Sequence, residues 1–238
     1  MISIVVPVLN EVETIDKLLS HLAENSDPKN ISEIIIIDGG STDGTKEVLK
    51  RTISSSNSEY SKLYQVLFSK KGRALQMNRG ARKATGKILY FLHADSLPPQ
   101  KFDELIINEV AKGNLAGCFK MKFDYNHWWL RLASWLTHFN WRACRGGDQS
   151  QFITKDLFKE IGGFDEGFII YEDNILINEL FKRKQFVVIQ EWIITSARLY
   201  KRKGIWTLQY HFWTIYVKRW FGASADDIYK YYIKKIAV

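Results

Sequence analysis

Short aliphatic runs alternate with one-sided helical patterns through the first hundred residues. Residues 34–37 are a continuous apolar run, and residues 2–6 are apolar apart from Ser3; both are typical of strands buried on both faces. Between them, aliphatic residues recur at the i, i+3, i+4, i+7 spacing of an amphipathic helix: Ile15, Leu18, Leu19 and Leu22. Pro7 is expected to end the first strand. This β-α-β order predicts a parallel sheet with right-handed crossovers.

The pattern changes character near Ala116. Before it, residues 63–68 and 88–92 predict further buried strands, and residues 54–61 a polar loop. After it, residues 119–123 alternate apolar and lysine side chains, which is typical of a half-exposed strand. We therefore expect one α/β domain over residues 1–204, with lobes 1–115 and 116–204, rather than two independent domains.

The remaining elements of the second half are rich in aromatic residues. Residues 128–141 hold four of the eight tryptophans and predict a helix, and residues 186–189 predict a last strand. A basic loop at 195–204 precedes an aromatic helix over 205–221 and a short basic helix at 226–236. For this tail, residues 205–238, contact with a membrane surface, packing on the domain and contact with a second copy remain equal alternatives.

The strand at 34–37 leads directly into a candidate ligand-binding turn. Asp38 stands at its carboxyl end, followed by Gly39, Gly40 and a helix that Ser41, Thr42 or Asp43 can cap. In open α/β sheets ligands bind at this edge. The spacing excludes a P-loop, because Thr45 stands where its lysine belongs, and Gly-x-Gly-x-x-Gly is absent.

Charged residues follow two later strands at the same predicted edge. Lys70, Lys71 and Arg73 surround a helix start, which favours an anion such as a diphosphate. His93 and Asp95 end the strand at 88–92, and residues two apart on a strand point the same way, so both are expected to point past the sheet edge. Such a pair suits Mg²⁺ or Mn²⁺, a hydrogen bond to a ribose, or a hydrogen-bonded pair without metal.

Two adjacent acids start a helix in the second half. Glu172 and Asp173 precede apolar residues at helical spacing, so they lie where the helix dipole stabilises a carboxylate. They are either ordinary first-turn acids or a proton acceptor at the mouth of a cleft.

Composition narrows the class of partner. The 34 Lys and Arg against 26 Asp and Glu give a net charge of +8, which favours anionic ligands. No nucleic-acid recognition motif is visible. Cys118 and Cys144 have no metal-ligand spacing and are interpreted as reduced thiols of a cytoplasmic protein. No apolar window reaches the roughly 18 residues of a spanning helix.

Together these motifs resemble family 2 glycosyltransferases of the GT-A fold, in the family's order over about residues 2–185. The matching segments are Val-Val-Pro-Val-Leu-Asn-Glu (5–11), Ile-Asp-Gly-Gly-Ser-Thr-Asp-Gly-Thr (37–45), Lys-Gly-Arg (71–73), Asn-Arg-Gly (78–80), Phe-Leu-His-Ala-Asp (91–95), Gly-Gly-Phe (162–164) and Glu-Asp (172–173). Gly-Asp-Gln (147–149) and Thr-Ser-Ala-Arg (195–198) add a resemblance to the small single-domain bacterial branch. The resemblance implies a Rossmann-like mixed sheet flanked by helices, with the aromatic tail outside it.

The resemblance also implies roles for individual residues. Asp95 would hold Mn²⁺ or Mg²⁺ on the diphosphate, with His93 where the family's first acid is usual, and Asp173 would be the general base, with Glu172 as the substitute. Residues 1–115 would form the nucleotide-binding lobe and 116–204 the acceptor lobe. The implied nucleotide contacts are Pro7, Asn10, Glu11, Asp38, Ser41, Lys71, Arg73, Asn78, His93, Ala94 and Asp95. The implied acceptor or diphosphate contacts are Asp148, Gln149, Arg198 and Arg202.

The expected activity is inverting transfer of a sugar from a nucleotide donor, with UDP as the preferred nucleotide, to a lipid-linked or saccharide hydroxyl. Two other classes stay open: a non-catalytic nucleotide-sugar sensor or scaffold, and a membrane-surface binding protein. A nucleotidyltransferase is disfavoured, because the glycine-rich turn lacks a basic phosphate loop. The expected location is the cytoplasm, including the inner face of the membrane.

Overall fold

A computed structural model describes residues 1–55 and 59–237. Part of the predicted loop at 54–61 and the last residue of the tail therefore lie outside the described residues. The strands are β1 (Ile2–Val8), β2 (Ile31–Asp38), β3 (Tyr64–Phe68), β4 (Ile88–Phe91), β5 (Ser96–Leu97), β6 (Ala116–Phe123), β7 (Gln151–Thr154) and β8 (Phe186–Thr195).

The helices of the first half alternate with the parallel strands, as predicted. In chain order the helices are α1 (Ile15–Asn25), α2 (Thr45–Ser55), α3 (Arg73–Lys83), α4 (Phe102–Ala111), α5 (Trp128–Leu136), α6 (Lys155–Ile161), α7 (Glu172–Lys182), α8 (Arg198–Lys203), α9 (Ile205–Trp220) and α10 (Ala225–Tyr232). Short 3₁₀ turns cover Pro28–Asn30, Glu59–Leu63, Arg142–Cys144 and Gly147–Gln149, and a π-helical turn covers Ile233–Ala237.

All eight strands belong to one mixed sheet in the order β3-β2-β1-β4-β7-β6-β8-β5. The first four neighbours are parallel, as the β-α-β pattern predicts. β7 runs antiparallel to β4 and to β6, so it joins the two halves of the sheet. Hydrophobic clusters cover both faces, which explains why most positions of the central strands are apolar.

Several predicted boundaries are wrong for identifiable reasons. Pro7 does not end β1, which continues to Val8. Val5 O accepts from Leu92 N on the β4 side of β1, and Val8 O accepts from Gly39 N on the β2 side. Because successive residues of a strand bond to opposite sides, Pro7 faces the β4 side, as Val5 does, but lies beyond the end of β4. The missing N–H of proline therefore costs no ladder bond there.

The other differences lie in the second half. β8 extends six residues further than the predicted strand at 186–189, because it pairs with β6 and then with β5. Part of the predicted basic loop at 195–204 is helical, as α8, and the predicted helix at 128–141 ends at Leu136. His93 and Asp95 lie in the turn after β4 rather than on the strand, so strand alternation does not orient them.

Helix α3 lies unusually close to the sheet. A Cβ on Gly80 would come within 2.5 Å of Val5 Cγ1 and 2.8 Å of Ile37 Cδ1, so only glycine permits this approach. The amide of Gln76 donates to Val8 O at 2.9 Å and to Ile37 O at 2.7 Å. These contacts fix the N-terminus of α3 at the carboxyl edge of β1 and β2.

A buried carboxylate ties the opposite edge together. Glu33 on β2 is only 4% exposed and accepts hydrogen bonds from the Ser3 hydroxyl and from the backbone and hydroxyl of Thr85. Burial alone would raise the pKa of Glu33, but these bonds outweigh it and hold the pKa below its ordinary value of 4.5.

Because the pKa of Glu33 is lower in the folded chain, its contribution to stability is present above about pH 4.5 and is lost as the pH falls through the folded-state value. We expect Glu33→Gln to lower the free energy of unfolding by about 1–3 kcal/mol at pH 7, and by less at pH 3.5. Denaturant unfolding at both pH values measures this. Glu24→Gln, on the exposed face of α1, is the matched control, and an equal loss for Glu33→Gln at both pH values would contradict the assignment.

Candidate active site

The loop after β1 and the loop after β2 are bonded to each other. Asn10 adopts φ +57°, donates its N–H to Ser41 Oγ at 2.9 Å, and accepts from Thr42 N through Oδ1 at 2.9 Å. Glu11 N donates to Thr45 Oγ1 at 2.9 Å. The predicted nucleotide contacts Asn10, Glu11 and Ser41 therefore lie together at the carboxyl edge of the sheet, and Pro7 precedes them at the end of β1.

Asp38 organises the turn that follows β2. Its carboxylate is fully buried, and Oδ1 accepts from the backbone of Ser41 at 3.0 Å and from its hydroxyl at 2.5 Å. Oδ2 has looser neighbours, Ser41 N at 3.3 Å and Lys46 Nζ at 3.7 Å. Asp38 thus shapes the loop directly, and its contact with a base remains a prediction.

The N-terminus of α3 brings a cation to the same edge. Arg73 is its first residue, and Lys71 is exposed in the loop before it. The predicted contact Asn78 lies further along the helix and is buried, where it donates to Phe164 O at 2.8 Å and accepts from Phe164 N at 3.0 Å. Asn78 therefore holds the loop before α7, and contact with a nucleotide would require these bonds to break.

Arg73 connects the two lobes through an ion pair. Its Nε lies 2.6 Å from Glu172 Oε1, and its Nη1 lies 3.8 Å from Asp173 Oδ2. Glu172 and Asp173 begin α7, and the Tyr171 backbone before them adopts φ +75°. Glu172 is fully buried, whereas the Asp173 side chain keeps 11% exposure. Of the two acids, Asp173 is therefore the one open to a ligand.

The electrostatics favour a proton-accepting role in this pair. Burial raises the pKa of both carboxyls above their ordinary values, while the guanidinium of Arg73 opposes the rise. A carboxylate with a raised pKa is a stronger base near neutral pH. The short contact with Arg73 makes Glu172 the ion-pair partner of the two acids.

The 3₁₀ turn Gly147–Gln149 lies directly against Asp173. A Cβ on Gly147 would stand 2.0 Å from Asp173 Oδ2, so a larger residue could not occupy this position without displacing the carboxylate. Gln149 points into the protein, where its Oε1 accepts from Arg145 Nη1 at 2.8 Å. Arg145, in turn, is buried and donates to Thr137 O at 2.6 Å.

Sequence reasoning missed Gln76, Arg145 and Gly147. The pair Gly146-Gly147 was a visible signal of close backbone approach, because a glycine without a turn requirement often marks a crowded site. A single glutamine or arginine carries no comparable signal, since only the folded chain shows which carbonyls it reaches.

The turn after β4 places His93, Ala94 and Asp95 at the same edge. Burial and the nearby Arg73 lower the pKa of His93 to about 3, so its imidazole is neutral. His93 Nδ1 lies 3.8 Å from Asp148 Oδ1, and the Asp148 side chain is 61% exposed. Ala94 is buried. This turn therefore lies between the Arg73 cluster and Asp148.

Arg198, the first residue of α8, contacts two of the predicted acidic residues. Its Nη2 lies 2.5 Å from Glu11 Oε1 and 3.5 Å from Asp95 Oδ2. Burial and Asp148 raise the pKa of Asp95 to about 6, with Arg198 opposing the rise. The positively charged group beside Asp95 shows that this carboxylate takes a cationic partner. Arg202, on the same helix, is exposed and makes no ion pair with a described residue.

Most of the predicted site residues therefore lie together at the carboxyl edge of the sheet. They run from Asp38 and Asn10 through Glu11, Arg198 and Asp95 to His93, Arg73 and Asp173. Among the residues that the structure describes, no group of three or more His, Cys, Asp or Glu side chains is arranged to hold a metal ion.

The sequence comparison identifies the family. The profile of Glycosyl transferase family 2 matches residues 3–175, and the chain belongs to this family. Solved structures of similar fold include the mannosyltransferase PcManGT from Pyrobaculum calidifontis, in complex with GDP-Man and Mn²⁺, with a TM-score of 0.65 and 18% identity over 90% of this chain and 59% of that one. The S. aureus TarS 1–349 complex with UDP gives a TM-score of 0.64 and 15% identity, covering 82% of this chain and 60% of that one. The expected GT-A fold is thereby confirmed.

Curated relatives are more similar in sequence but match shorter regions. Glycosyltransferase AglE of Haloferax volcanii is 31% identical over 112 residues, which cover 46% of this chain and 35% of that protein. An undecaprenyl-phosphate 4-deoxy-4-formamido-L-arabinose transferase of Aeromonas hydrophila is 27% identical over 64% of this chain and 46% of its own length. The matched regions thus span about a third to half of these relatives.

The contact between Gly147 and Asp173 can be tested through stability. We expect Gly147→Ala to lower the free energy of unfolding by about 1–3 kcal/mol, because the new methyl group overlaps Asp173 Oδ2. Removing that carboxylate in Gly147→Ala/Asp173→Ala should recover part of the loss, as measured by denaturant unfolding. Gly146→Ala is the control, since Gly146 has an extended backbone and a Cβ added there would meet no atom within 4 Å. Strictly additive losses in the double variant would show that the two residues do not compete for space.

Proposed function

We propose that this protein is an inverting glycosyltransferase that moves a hexosyl group from a nucleotide-diphosphate sugar to an acceptor hydroxyl. The observation that carries the proposal is the position of Asp173: a partly exposed carboxylate at the start of α7, held beside Arg73 at the edge where the nucleotide-binding loops meet. Membership of the family supports the reaction class.

Asp173 acts as the general base in this mechanism. It takes the proton of the acceptor hydroxyl while that oxygen attacks the anomeric carbon, and the bond from this carbon to the diphosphate oxygen breaks on the opposite face. One such displacement inverts the anomeric configuration. General-base catalysis of this kind contributes about 10²–10⁴-fold to the rate. Glu172 keeps Arg73 in place and does not itself contact the acceptor.

The first lobe binds the nucleotide. Contact with the base is assigned to Asp38 Oδ2, whose present neighbours are more distant than those of Oδ1. Asn10, Glu11, Ser41 and Lys71 line the remainder of the nucleotide pocket. We favour a UDP-sugar; the solved neighbours include complexes with UDP and with GDP-Man, so a GDP-sugar is the natural competitor in a binding assay.

The residues present fit a divalent cation that arrives with the donor. Mg²⁺ and similar ions often use one or two protein carboxylates and complete their coordination with substrate phosphates and water. Asp95 supplies such a carboxylate, and the guanidinium of Arg198 beside it marks a place for positive charge. When bound, Mn²⁺ or Mg²⁺ neutralises charge on the departing diphosphate. Arg198 would move from Asp95 toward the phosphates and add to that neutralisation.

We propose a lipid-linked acceptor. The support comes from relatives whose names specify dolichyl-phosphate and undecaprenyl-phosphate sugars. The exposed Asp148 and Arg202 lie on the elements that adjoin the donor site, so they are the proposed acceptor or diphosphate contacts, whereas the inward-facing Gln149 has a supporting position. A location at the inner face of the membrane is consistent with such an acceptor.

The base assignment predicts a separation of binding from turnover. Asp173→Asn should keep donor binding, because the amide has nearly the shape of the carboxylate, while turnover falls by about 10²–10⁴-fold. Calorimetry gives donor affinity, and release of nucleoside diphosphate with water as acceptor gives turnover. Asn178→Ala, on the same helix, is the control. Wild-type turnover in Asp173→Asn would remove Asp173 from the mechanism, and donor binding without turnover in the wild type would indicate a sensor rather than an enzyme.

The metal assignment predicts a metal-dependent change in affinity. Asp95→Ala should abolish the tightening of donor binding that Mn²⁺ produces, because it removes the protein ligand. Titration calorimetry with and without Mn²⁺ measures this, with Asp156→Ala on the exposed side of α6 as the matched carboxylate control. An unchanged response to Mn²⁺ in Asp95→Ala would place the metal elsewhere.

A further inference from the structure

Two helices of the second half carry large apolar side chains that remain largely exposed to solvent. On α9 and just after it, Trp220 and Phe221 are 86% and 85% exposed. We define the aromatic face as the exposed residues Trp128, Leu132 and Trp135 of α5 together with Trp206, Tyr210, Trp213, Val217, Trp220 and Phe221. Monomeric proteins rarely leave such a set exposed without a binding role.

The sequence of α9 places its exposed members on one side. Trp206, Tyr210, Trp213, Val217 and Trp220 follow one another at spacings of four, three, four and three residues, which form a single stripe on a helix. Leu208 and Ile215 lie on the opposite side and are buried. α9 is therefore apolar on two sides, and only one of them is used by the fold.

The stripes of the two helices meet at their N-terminal ends. The ring of Trp206 lies 5.6 Å from that of Trp128 and 5.3 Å from that of Trp129. Trp129 also contacts Trp213 at 5.7 Å, and its Nε1 donates to Gln209 Oε1 at 3.0 Å. The aromatic face is therefore one continuous surface, held rigidly by contacts between α5 and α9.

The chain segment that contains α8 and α9 carries charges of one sign. No Asp or Glu occurs between Trp192 and Ala225, whereas that segment holds six cations: Arg198, Lys201, Arg202, Lys203, Lys218 and Arg219. On α5, Arg131 lies between Trp128 and Trp135 on the exposed side. Neither Arg131 nor Arg202 forms an ion pair with any carboxylate in the described ranges, so both are available to an external anion.

We propose that the aromatic face binds the surface of an anionic phospholipid bilayer. Trp and Tyr rings combine an apolar body with a polar edge, which suits the headgroup level of a bilayer. Arg and Lys extend apolar stems along the same surface and reach phosphates with their charged ends. A second copy of the chain would bring the cationic rims of two copies together, so charge complementarity favours the lipid.

A groove beside α5 fits the same partner. It has a volume of about 510 Å³, and Leu130, Trp135 and Trp192 line its apolar part. Lys122 and Arg131 stand along it, with Asp124, whose Oδ1 lies 3.5 Å from Lys201 Nζ. Apolar walls with free cations suit a phospholipid whose chain and phosphate are both engaged.

The aromatic face is also connected to the candidate active site. At the edge of the exposed stripe of α9, the ring of Tyr216 lies 5.5 Å from that of Tyr171, the residue before Glu172. Bilayer docking would therefore fix α7 and its acids relative to the membrane. This link to acceptor delivery rests on the proposed function, whereas bilayer binding itself does not.

Flotation of the full chain with vesicles tests the proposal without any donor or acceptor. We expect binding to phosphatidylcholine vesicles containing 30% phosphatidylglycerol, and much weaker binding to pure phosphatidylcholine. Trp220→Ser/Phe221→Ser should weaken binding at least about tenfold, because the two most exposed rings are lost. Phe68→Ser, 59% exposed on β3 at the far end of the sheet, is the matched control and should bind like the wild type.

The charge requirement has its own pair of variants. Arg131→Gln/Arg202→Gln should reduce the preference for anionic vesicles, and Lys50→Gln/Arg51→Gln on the exposed face of α2 should leave it unchanged. Equal flotation of the wild type and Trp220→Ser/Phe221→Ser would overturn the proposal. The proposal would also be wrong if the wild type did not bind vesicles and instead sedimented as a dimer, and if Trp220→Ser/Phe221→Ser dissociated that dimer. Because no step requires sugar transfer, an inactive protein that floats would contradict only the proposed function.

Discussion

The ion pair between Arg73 and Glu172 is the contact on which the candidate site depends. It joins the first residue of α3, in the first half of the chain, to the first residue of α7, in the second half. Glu172 is fully buried, so without Arg73 its charge would have no compensating partner. The pair holds the start of α7 in place, and with it the carboxylate of Asp173.

Two further contacts place the nucleotide-binding loops and the Gly147 turn beside that ion pair. Gln76 anchors α3 on the ends of β1 and β2, which sets Arg73 beside the loops organised by Asp38 and Asn10. Gly147 allows its turn to approach Asp173 from the opposite side. Nucleotide binding and proton transfer are proposed for different lobes, so their alignment depends on these few contacts. The similarity to GT-A structures identifies the fold.

The sequence predicted the elements whose signal is local. Hydrophobic periodicity, β-branched residues and turn residues predict three features: the isoleucine strand that ends at Asp38, the helix that begins at Glu172, and the parallel order of the first strands. It could not predict that Asn78 would bond the loop before α7, or that Arg198 would reach Glu11 across most of the chain. Such contacts depend on which loops meet in three dimensions. The length of β8 was missed for the same reason, because its pairing with β6 and β5 is not encoded in its own residues.

A double-mutant cycle on Arg73→Met and Glu172→Gln tests the central claim most directly. The measured quantity is the free energy of unfolding of the wild type, both single variants and the double variant. Because the Arg73 side chain is 36% exposed, each single change should cost about 1–3 kcal/mol, less than a fully buried pair. The account predicts that the double variant loses less than the sum of the single losses, by at least about 0.5 kcal/mol. Additive losses would contradict it, since they would show that the two lobes are not joined through this pair.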